Sequence, residues 1–310
     1  MQSLLKLSDF SNKQLICIPE ETFAMTGLEK LWIDANQIEE IPESIRQLTN
    51  LKWLSAYKNK LKTIPESVFD LTTLERINFS VNQLTTLSKN LERLKNLQVL
   101  DINHNDLVEL PEQVGNLKDL RFLYIGGNRL EQLPLSLTNL KKLSYLNITH
   151  NQFKELPECV GGMENLIELR AYHNKITSLP QFIGQLVNLR EIHVMNNRIE
   201  KLPSSIRGLI NLKKLMLENN QLEKLPESIG ELKNLTDLDL RSNNLTTLPE
   251  TVGDLKSLRL MDLRDNHLST IPESIQHLPS LEKLDLRLNK ELAIPGWVHG
   301  LALRGCSVFY

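Results

Sequence analysis

Residues 212–234 read LKKLMLENNQLEKLPESIGELKN, and variants of this 23-residue stretch follow one another along the chain without an insertion. Numbering each copy from its first leucine gives the pattern L-x-x-L-x-L-x-x-N-x-L-x-x-L-P-x-x-I-x-x-L-x-x. A period this short and this constant predicts a stack of coils that share one core, because a single coil cannot bury its own apolar side. The twelve opening leucines are Leu28, Leu51, Leu74, Leu97, Leu120, Leu143, Leu166, Leu189, Leu212, Leu235, Leu258 and Leu281.

Apolar residues occupy positions 1, 4, 6, 11, 14, 18 and 21 of almost every copy. Positions 3, 5 and 7 alternate with buried positions 4 and 6, which is the period of a short β-strand. Proline at position 15, replaced once by Ser88, suits the first position of a helical turn. The pattern predicts an α/β solenoid with about thirteen parallel strands on a concave face and short helical or 3₁₀ turns on a convex face.

Asparagine occupies position 9 in all twelve copies, where the chain leaves the strand and turns. Its side-chain amide both donates and accepts hydrogen bonds, so stacked asparagines can satisfy backbone groups that the turn leaves unpaired. We interpret this column as a structural ladder rather than as a set of catalytic amides. Its members are Asn36, Asn59, Asn82, Asn105, Asn128, Asn151, Asn174, Asn197, Asn220, Asn243, Asn266 and Asn289.

The two ends are less regular than the middle, and we expect one domain over residues 1–310. Residues 1–27 indicate a degenerate first repeat that partly caps the stack, because the segment LKLSDF has lost the apolar rhythm of a strand. Residues 28–302 hold the twelve repeats. At residues 303–310, Leu303, Cys306 and Val308 predict a terminal strand without an evident cap. Such an open edge indicates either self-association through it or a chain that continues into a longer protein.

Composition argues against several classes of partner. The net charge of −2, from 36 basic and 38 acidic side chains, does not favour binding to nucleic acid or to an anionic membrane. No apolar run is long enough to insert into a membrane. Three widely spaced cysteines fit neither a zinc site nor a disulfide framework and favour a reducing compartment. We therefore expect a soluble, cytoplasmic protein.

The 23-residue unit with its LPxxI segment resembles the intracellular leucine-rich repeats of Ras-suppressor proteins, LRR-and-PDZ scaffolds, plant Ras-group proteins, Roco kinases and bacterial cytoplasmic proteins. This resemblance covers nearly the whole chain, and it implies a right-handed horseshoe solenoid. It also implies an adaptor or sensor in intracellular signalling that binds a protein, such as a small GTPase or another signalling protein, on its concave face. The alternative is a recognition domain from a larger kinase, GTPase or ubiquitin ligase.

Function should be sought at positions 3, 5, 7 and 8, where packing leaves the residue type free. Six of the eight tryptophans and tyrosines occupy these positions, and only Trp297 and Tyr310 do not. Aromatic rings are frequent anchors of binding hot spots, although cross-strand packing that only stabilises the sheet is an alternative. The predicted contact residues are Trp32, Trp53, Tyr57, Phe122, Tyr124, Tyr145, His150, Arg170, Tyr172, His173, His193, Met195, Met216, Asp239, Arg241, Asp262 and Arg264.

Three further features of these positions carry expectations. The histidines, which include His104, lie in rows without an evident carboxylate or thiolate, so we expect no metal site. Gly126 and Gly127 predict a notch that a partner backbone could approach. The last three copies carry aspartate at position 5 and arginine at position 7, ending with Asp285 and Arg287. These Asp and Arg rows either steer a charged partner or neutralise each other.

The sequence contains none of the motifs that mark common catalytic sites. It has no phosphate-binding glycine loop, no GxSxG and no HExxH, and no cysteine lies in register with a plausible base. We therefore predict a protein-interaction module with no catalytic residue and no cofactor.

Overall fold

The computed structural model describes residues 6–310 and divides them into two compact units. Unit 1 runs to Gln152 and includes Pro157–Met163, and unit 2 comprises Phe153–Leu156 and Glu164–Tyr310. Unit 1 contains strands β1 to β7, which are Leu7–Asp9, Lys30–Trp32, Trp53–Ser55, Arg76–Asn78, Val99–Asp101, Phe122–Tyr124 and Tyr145–Asn147. Unit 2 contains β8 to β14, which are Glu168–Arg170, Glu191–His193, Lys214–Met216, Asp237–Asp239, Leu260–Asp262, Lys283–Asp285 and Ser307–Phe309.

Within each unit, successive strands pair in parallel and in the register of the repeat. Val99 of β5 lies opposite Phe122 of β6, and Lys214 of β10 lies opposite Asp237 of β11, 23 residues further along in both cases. Equal positions of successive copies therefore stack in columns. The irregular segment near the start also forms a strand, because β1 pairs with β2 and buries Ser8 where later copies bury an aliphatic residue.

The core consists of the predicted apolar columns. The leucines at position 1 from Leu28 to Leu258 are fully buried, and so are most residues at positions 4, 6 and 11. Position 6 accepts Ala56, Ala171 and the much larger Phe79 with no exposed surface in any of them. The column therefore absorbs differences in volume between neighbouring coils. This architecture is the leucine-rich-repeat solenoid that the repeat predicts.

The asparagine column forms a hydrogen-bonded ladder, shown here by Asn128. Its side-chain oxygen accepts the N–H of Leu107 at 3.1 Å, and its amide nitrogen donates to the carbonyls of Ile102, Ile125 and Gly126 at 3.0–3.2 Å. Each rung therefore links two successive coils. Because Asn128 is 6% exposed, the backbone groups that it satisfies have little access to water.

The returning side of each coil carries a short helix that starts directly after position 15. Proline precedes nearly all of these helices, and in the one copy that has Ser88 the serine side chain accepts the N–H of Asn90 at 3.1 Å. The second copy has a four-residue α-helix, α1, at Glu66–Phe69. The 3₁₀ helices are Glu20–Ala24, Glu43–Gln47, Lys89–Arg93, Glu112–Asn116, Leu135–Asn139, Glu158–Gly162, Gln181–Gln185, Ser204–Gly208, Glu227–Glu231, Glu250–Asp254 and Glu273–His277.

Position 8 of every copy has a positive φ, between 50° and 65°. Non-glycine residues rarely adopt this left-handed conformation, and β-branched ones resist it most. Val81, with a φ of 57°, is the β-branched residue in this column. The turn into the asparagine rung therefore imposes a backbone shape that local preference opposes.

The last residues differ from the sequence-based expectation. Leu303 does not begin a strand, since it ends the helix α2, Val298–Leu303, and is 90% exposed. The terminal strand is Ser307–Phe309, and Val308 lies opposite Leu284, which is 24 residues earlier. The final coil is thus one residue longer than the repeat because α2 replaces the usual 3₁₀ turn. Within residues 6–310, no helix has the length and apolar character needed to span a membrane.

Candidate partner-binding face

The strand face of each unit is formed by the side chains at positions 3, 5, 7 and 8. In β5, β6 and β7 of unit 1 the middle residue is buried and both flanking residues are partly exposed. The same alternation holds in β8, β9 and β10 of unit 2. Residues at these positions are therefore presented to solvent by a rigid backbone, without being needed to fill the core.

The first aromatic cluster, Trp32, Trp53 and Tyr57, lies at the start of unit 1. The two indole rings are 5.3 Å apart, centroid to centroid, with an angle of 71° between their planes. Lys30 and Arg76 approach the Trp53 ring at 5.6 and 5.3 Å, distances typical of cation–π contacts. Tyr57 is 40% exposed. This cluster is an amphipathic surface in which cations flank an aromatic ring.

The second aromatic cluster, Phe122, Tyr124 and Tyr145, lies on β6 and β7 of the same unit. The Tyr145 ring is 4.8 Å from Tyr124 and 6.3 Å from Phe122, both tilted by 37°. All three side chains are half-buried, and His150 of the same unit is exposed at position 8. The rings therefore support one another across the strands while each keeps a face toward solvent.

The predicted notch at Gly126 and Gly127 does not exist, so this interpretation was wrong. A Cβ on Gly126 would lie 2.7 Å from the Thr149 hydroxyl, 3.0 Å from Asn147 Oδ1 and 3.1 Å from Asn103 Oδ1. A Cβ on Gly127 would collide with the ring of His104, and Gly127 has a φ of 64°. Neighbouring polar side chains fill the space, and glycine is required for internal packing.

Unit 2 presents the remaining predicted contact residues in two groups, of which the first lies at the start of the unit and the second is formed by the Asp and Arg rows. In the first group, the rings of Tyr172 and His173 meet edge to face at 5.5 Å, and Arg170 donates to Glu168 at 2.6 Å. Met195 and Met216 are half-buried at positions 7 and 5. This group is mixed in chemistry, with aromatic, thioether and charged side chains side by side.

His193 has two carboxylates beside it, which corrects the expectation that no carboxylate lies near the histidines. Its Nε2 is 3.0 Å from Glu191, and one donor atom each from Glu168, Glu191 and His193 lie within 4.8 Å of one another. Sequence reasoning missed them because both glutamates occupy position 3 and not the row of His193. Glu191 lies two residues earlier on β9, and Glu168 lies on the neighbouring strand β8. Glu191 also pairs with Lys214 at 3.1 Å. Burial alone would raise the pKa of Glu191, but the hydrogen bonds from His193 and Lys214 lower it.

The Asp and Arg rows of unit 2 neutralise each other. Arg241 contacts Glu218 at 2.6 Å and Asp239 at 2.9 Å, and Arg264 contacts Asp262 at 2.7 Å and Asp285 at 3.4 Å. Burial alone would lower the pKa of the Arg241 guanidinium, but the carboxylates of Asp239 and Glu218 raise it.

Two carboxylates of these rows lie under the arginines rather than at the surface. Asp239, predicted as a contact residue, is 7% exposed, and Asp285 is completely buried. Asp239 therefore offers little surface to a partner, although it forms part of the cleft lining between β10 and β13. The arginines at position 7 remain partly exposed above it.

A cleft of about 120 Å³ opens on the strand face of unit 2, between β10 and β13. Its walls include Met216, Asp237, Leu260 and Lys283, and Met261 contributes from below. Sequence reasoning noted Asp237 only as additional acid beside the Asp and Arg rows, and it did not single out Leu260 or Lys283. The available signal was Leu260, an aliphatic residue at position 3 of its copy, which is 39% exposed.

Two half-buried aspartates of unit 1 and one thiol complete the titratable groups of interest. Burial raises the pKa of Asp34 and of Asp101, although backbone N–H groups donate to both carboxylates. Burial also raises the pKa of the Cys159 thiol to about 12, so this cysteine is a thiol rather than a thiolate near neutral pH. Cys159 is consequently a poor nucleophile.

The sequence matches the models of two protein families, and the stacked parallel strands and asparagine ladder agree with both. A family described as leucine-rich repeat region matches residues 102–195 and 205–301, and one described as leucine rich repeat matches residues 57–107. Together the first two segments cover more than half of the 310 residues. No curated protein matches the sequence.

Several solved structures resemble the chain. It is similar to an LRR protein of Leptospira interrogans, with a TM-score of 0.67 and 27% identity over 97% of this chain and 95% of the other. The functional domain of InlJ from Listeria monocytogenes gives a TM-score of 0.76 and 25% identity, covering 91% and 58%. The Arabidopsis receptor kinase HAESA was solved in complex with the peptide hormone IDA and the co-receptor SERK1. Its structure gives a TM-score of 0.73 and 30% identity, and the match covers 89% of this chain and 48% of the other. The chain thus spans about half the length of that solved chain.

Proposed function

The chain belongs to the leucine-rich-repeat family, whose fold is generally a protein-interaction module, and from this premise we propose that it is a non-catalytic adaptor or sensor. It binds a protein partner on the strand face and acts in the cytoplasm, within intracellular signalling. The partner is a folded signalling protein, of which a small GTPase is one class. The 23-residue LPxxI unit supports this assignment through its resemblance to intracellular repeats.

The second aromatic cluster is the observation that carries the proposal. Phe122, Tyr124 and Tyr145 sit on β6 and β7, outside a core that is already filled by Leu123 and Leu146. Large rings with few rotatable bonds bury much area at low entropic cost, which makes them effective anchors at protein interfaces. HAESA was solved with a peptide hormone and a co-receptor, so at least one structural relative binds peptide and protein ligands.

The proposal is tested by capture of proteins from a cell extract with matched variants of the chain. Phe122→Ala/Tyr145→Ala removes two rings from the strand face. Val108→Ala/Leu135→Ala removes apolar surface elsewhere on unit 1, from side chains that are 57% and 59% exposed. We expect the ring variant to lose a protein that both the wild type and the control variant retain, by tenfold or more in amount.

The opposite pattern would reject this assignment. If the ring variant retained the captured protein and the control variant lost it, the partner would bind away from the strand face. Circular dichroism of each variant shows whether both remain folded, so that loss of capture reports on the surface and not on unfolding.

The alternative is a recognition domain of a larger enzyme such as a kinase, GTPase or ubiquitin ligase. The similarity to HAESA, which is a receptor kinase and of whose solved chain this chain spans 48%, favours this alternative. The two functions share the same binding face and differ in whether a catalytic domain is joined to it. The length of the messenger RNA that encodes the chain distinguishes them.

A further inference from the structure

The cleft on the strand face of unit 2 combines an apolar interior with an unbalanced carboxylate. We propose that it receives a cationic side chain with an alkyl stem, in particular a lysine, from the protein partner. This inference rests on the proposed function, since it names a side chain that the proposed protein partner presents to unit 2. It concerns β10 to β13, whereas the evidence for the proposed function comes from β6 and β7.

The charge argument begins with the carboxylates around the cleft. Asp239 and Asp262 are held by Arg241 and Arg264 at 2.9 and 2.7 Å. Asp237 differs, because among residues 6–310 no cationic side chain forms an ion pair with it. Its Oδ2 accepts the hydroxyl of Thr236 at 2.5 Å, and its Oδ1 accepts no hydrogen bond in the same range.

The nearby cations are already engaged elsewhere. Arg259 forms two hydrogen bonds of 2.8 Å with Glu282, which raise the pKa of its guanidinium, and Asp237 adds a smaller electrostatic contribution. Lys283 lies on the cleft wall, but its ammonium is 3.7 Å from Asp285 and 5.5 Å from the Phe309 ring. Lys214, which lies directly across from Asp237 on β10, is paired with Glu191 at 3.1 Å. Among residues 6–310, Asp237 therefore has no cation in direct contact, and it lies on the wall of a recess.

The apolar argument concerns the rest of the cleft. Leu260 is 39% exposed on one wall, Met216 is half-buried on another, and Met261 lies beneath them at 1% exposure. A lysine places four methylene groups before its ammonium, so its stem can cover these apolar atoms while the charge stays near the rim. A carboxylate ligand would meet Asp237, and a purely apolar side chain would leave Asp237 without a counter-charge.

The methionine methyl groups provide a direct readout. The chain has six methionines, of which Met216 and Met261 line the cleft, whereas Met25, Met163 and Met195 do not. The experiment titrates the full chain, labelled with ¹³C at the methionine methyls, with N-acetyl-lysine-N-methylamide. The norleucine analogue, which has a similar apolar stem and no charge, serves as the matched ligand.

We expect the Met216 and Met261 signals to shift and saturate with the lysine analogue, with the Met25 and Met163 signals unchanged. Asp237→Asn should weaken this binding by roughly fivefold or more, because it removes the unpaired charge and keeps the shape. Asp265→Asn, which removes an equal charge from position 8 of the same face, should leave the affinity unchanged. Lys283→Met should tighten the binding, since it removes from the cleft wall a positive charge that repels the incoming ammonium.

Three results would overturn the inference. They are equal shifts with the norleucine analogue, an affinity that Asp237→Asn does not change, and an equal loss of affinity in Asp265→Asn. These results are separable from failure of the proposed function. If the ring variant lost its captured protein while the lysine analogue failed to bind, the partner-binding function would stand and only the assignment of the cleft would fall.

Discussion

The strand face of β5 to β7 in unit 1 and that of β11 to β13 in unit 2 are built on the same coil but carry opposite chemistry. In unit 1 the rings of Phe122, Tyr124 and Tyr145 pack against one another. In unit 2, Asp and Arg side chains pair along successive strands, and Asp285 is buried beneath them. The positions that fill the core are the same in both regions, so the outward positions vary without disturbing the stack.

This difference indicates how each region responds to a partner. Covering the rings removes apolar surface from water, which is favourable at about 25 cal/mol per Å². Covering the Asp and Arg rows gains less, because their charges are already paired and partly desolvated. The aromatic region is therefore suited to supply affinity. The charged region supplies a rigid surface in which an unpaired group such as Asp237 acts as a selective contact.

The largest expected effect is a loss of stability when an asparagine rung is removed, and it tests whether the ladder stabilises both units equally. Asn128→Ala in unit 1 and Asn243→Ala in unit 2 each remove a buried rung with four hydrogen bonds. Each should lower the free energy of unfolding by about 2–4 kcal/mol, because buried backbone groups lose their partners. Urea denaturation followed by circular dichroism measures the loss. A large loss for one variant and none for the other would show that the ladders are not equivalent.

A smaller effect is expected from the packed glycine of unit 1. Gly126→Ala places a Cβ against the side chains of Thr149, Asn147 and Asn103, whereas unit 2 accepts Arg264 at the same position. We expect a loss of about 1–3 kcal/mol from overpacking. Thermal denaturation provides the measurement, and Thr149→Ala provides the control because it removes the nearest obstructing atom. The cost of Gly126→Ala should fall in the Thr149→Ala background, and an unchanged cost would contradict the packing explanation.

The left-handed column predicts a gain in stability. Val81 in unit 1 and Ser242 in unit 2 occupy position 8 with φ values of 57° and 51°. Val81→Asn should stabilise the protein by about 1 kcal/mol, because asparagine tolerates this conformation far better than a β-branched residue. Ser242→Asn should give a smaller gain. Calorimetric midpoints that fall in Val81→Asn would contradict the assigned backbone conformation.

The smallest expected effect is an opposite response of the two regions to pH. Burial raises the folded pKa of Asp101 above its ordinary value of 3.8, so its contribution to stability increases as pH falls from neutral through the raised pKa. Burial acts in the same direction on Asp285, but Arg287 and Arg264 hold its folded pKa below 3.8. Its stabilising contribution is therefore present above pH 3.8 and lost below it.

The matched variants for this test are Asp101→Asn and Asp285→Asn. We expect the wild type to become more stable relative to Asp101→Asn as pH falls, and less stable relative to Asp285→Asn. The free energy of unfolding, measured for all three proteins across acidic pH, gives both differences. Parallel slopes for the two differences would show that the two carboxyl groups have similar environments.

The repeat allowed the fold to be predicted closely, because apolar columns, asparagine rungs and prolines depend only on residue type and spacing. The left-handed turn at position 8 was not predicted, although seven of the twelve copies carry His, Asn, Asp or Gly there, because copies with Ala35, Val81 or Leu288 obscure the pattern. The first strand was also missed as a regular strand, because Ser8 replaces an aliphatic residue there. At the other end, a helix shifted the register of the final strand by one residue.

The candidate site was less accessible to sequence reasoning, because contacts between columns determine it. The missing side chain of Gly126 predicted a notch, but the side chains of Asn103 and Thr149 occupy that space. Asp239 looked exposed by its position, yet Arg241 covers it. The carboxylates beside His193 lie at position 3 of the same and the neighbouring strand, which a search along one row does not sample. The position of a residue within the repeat predicts which side of the sheet its side chain occupies. The lengths and charges of the neighbouring side chains determine whether that side chain remains accessible to a partner.

Hydroxyl-radical footprinting of the chain, free and bound to its captured partner, tests the central claim most directly. It reports the solvent exposure of individual aromatic side chains, and this chain carries rings both on and off the strand face. The account predicts that Phe122, Tyr124 and Tyr145 become protected on binding while Trp297 and Tyr310 keep their reactivity. Protection confined to Trp297 and Tyr310, with the strand-face rings unchanged, would contradict it.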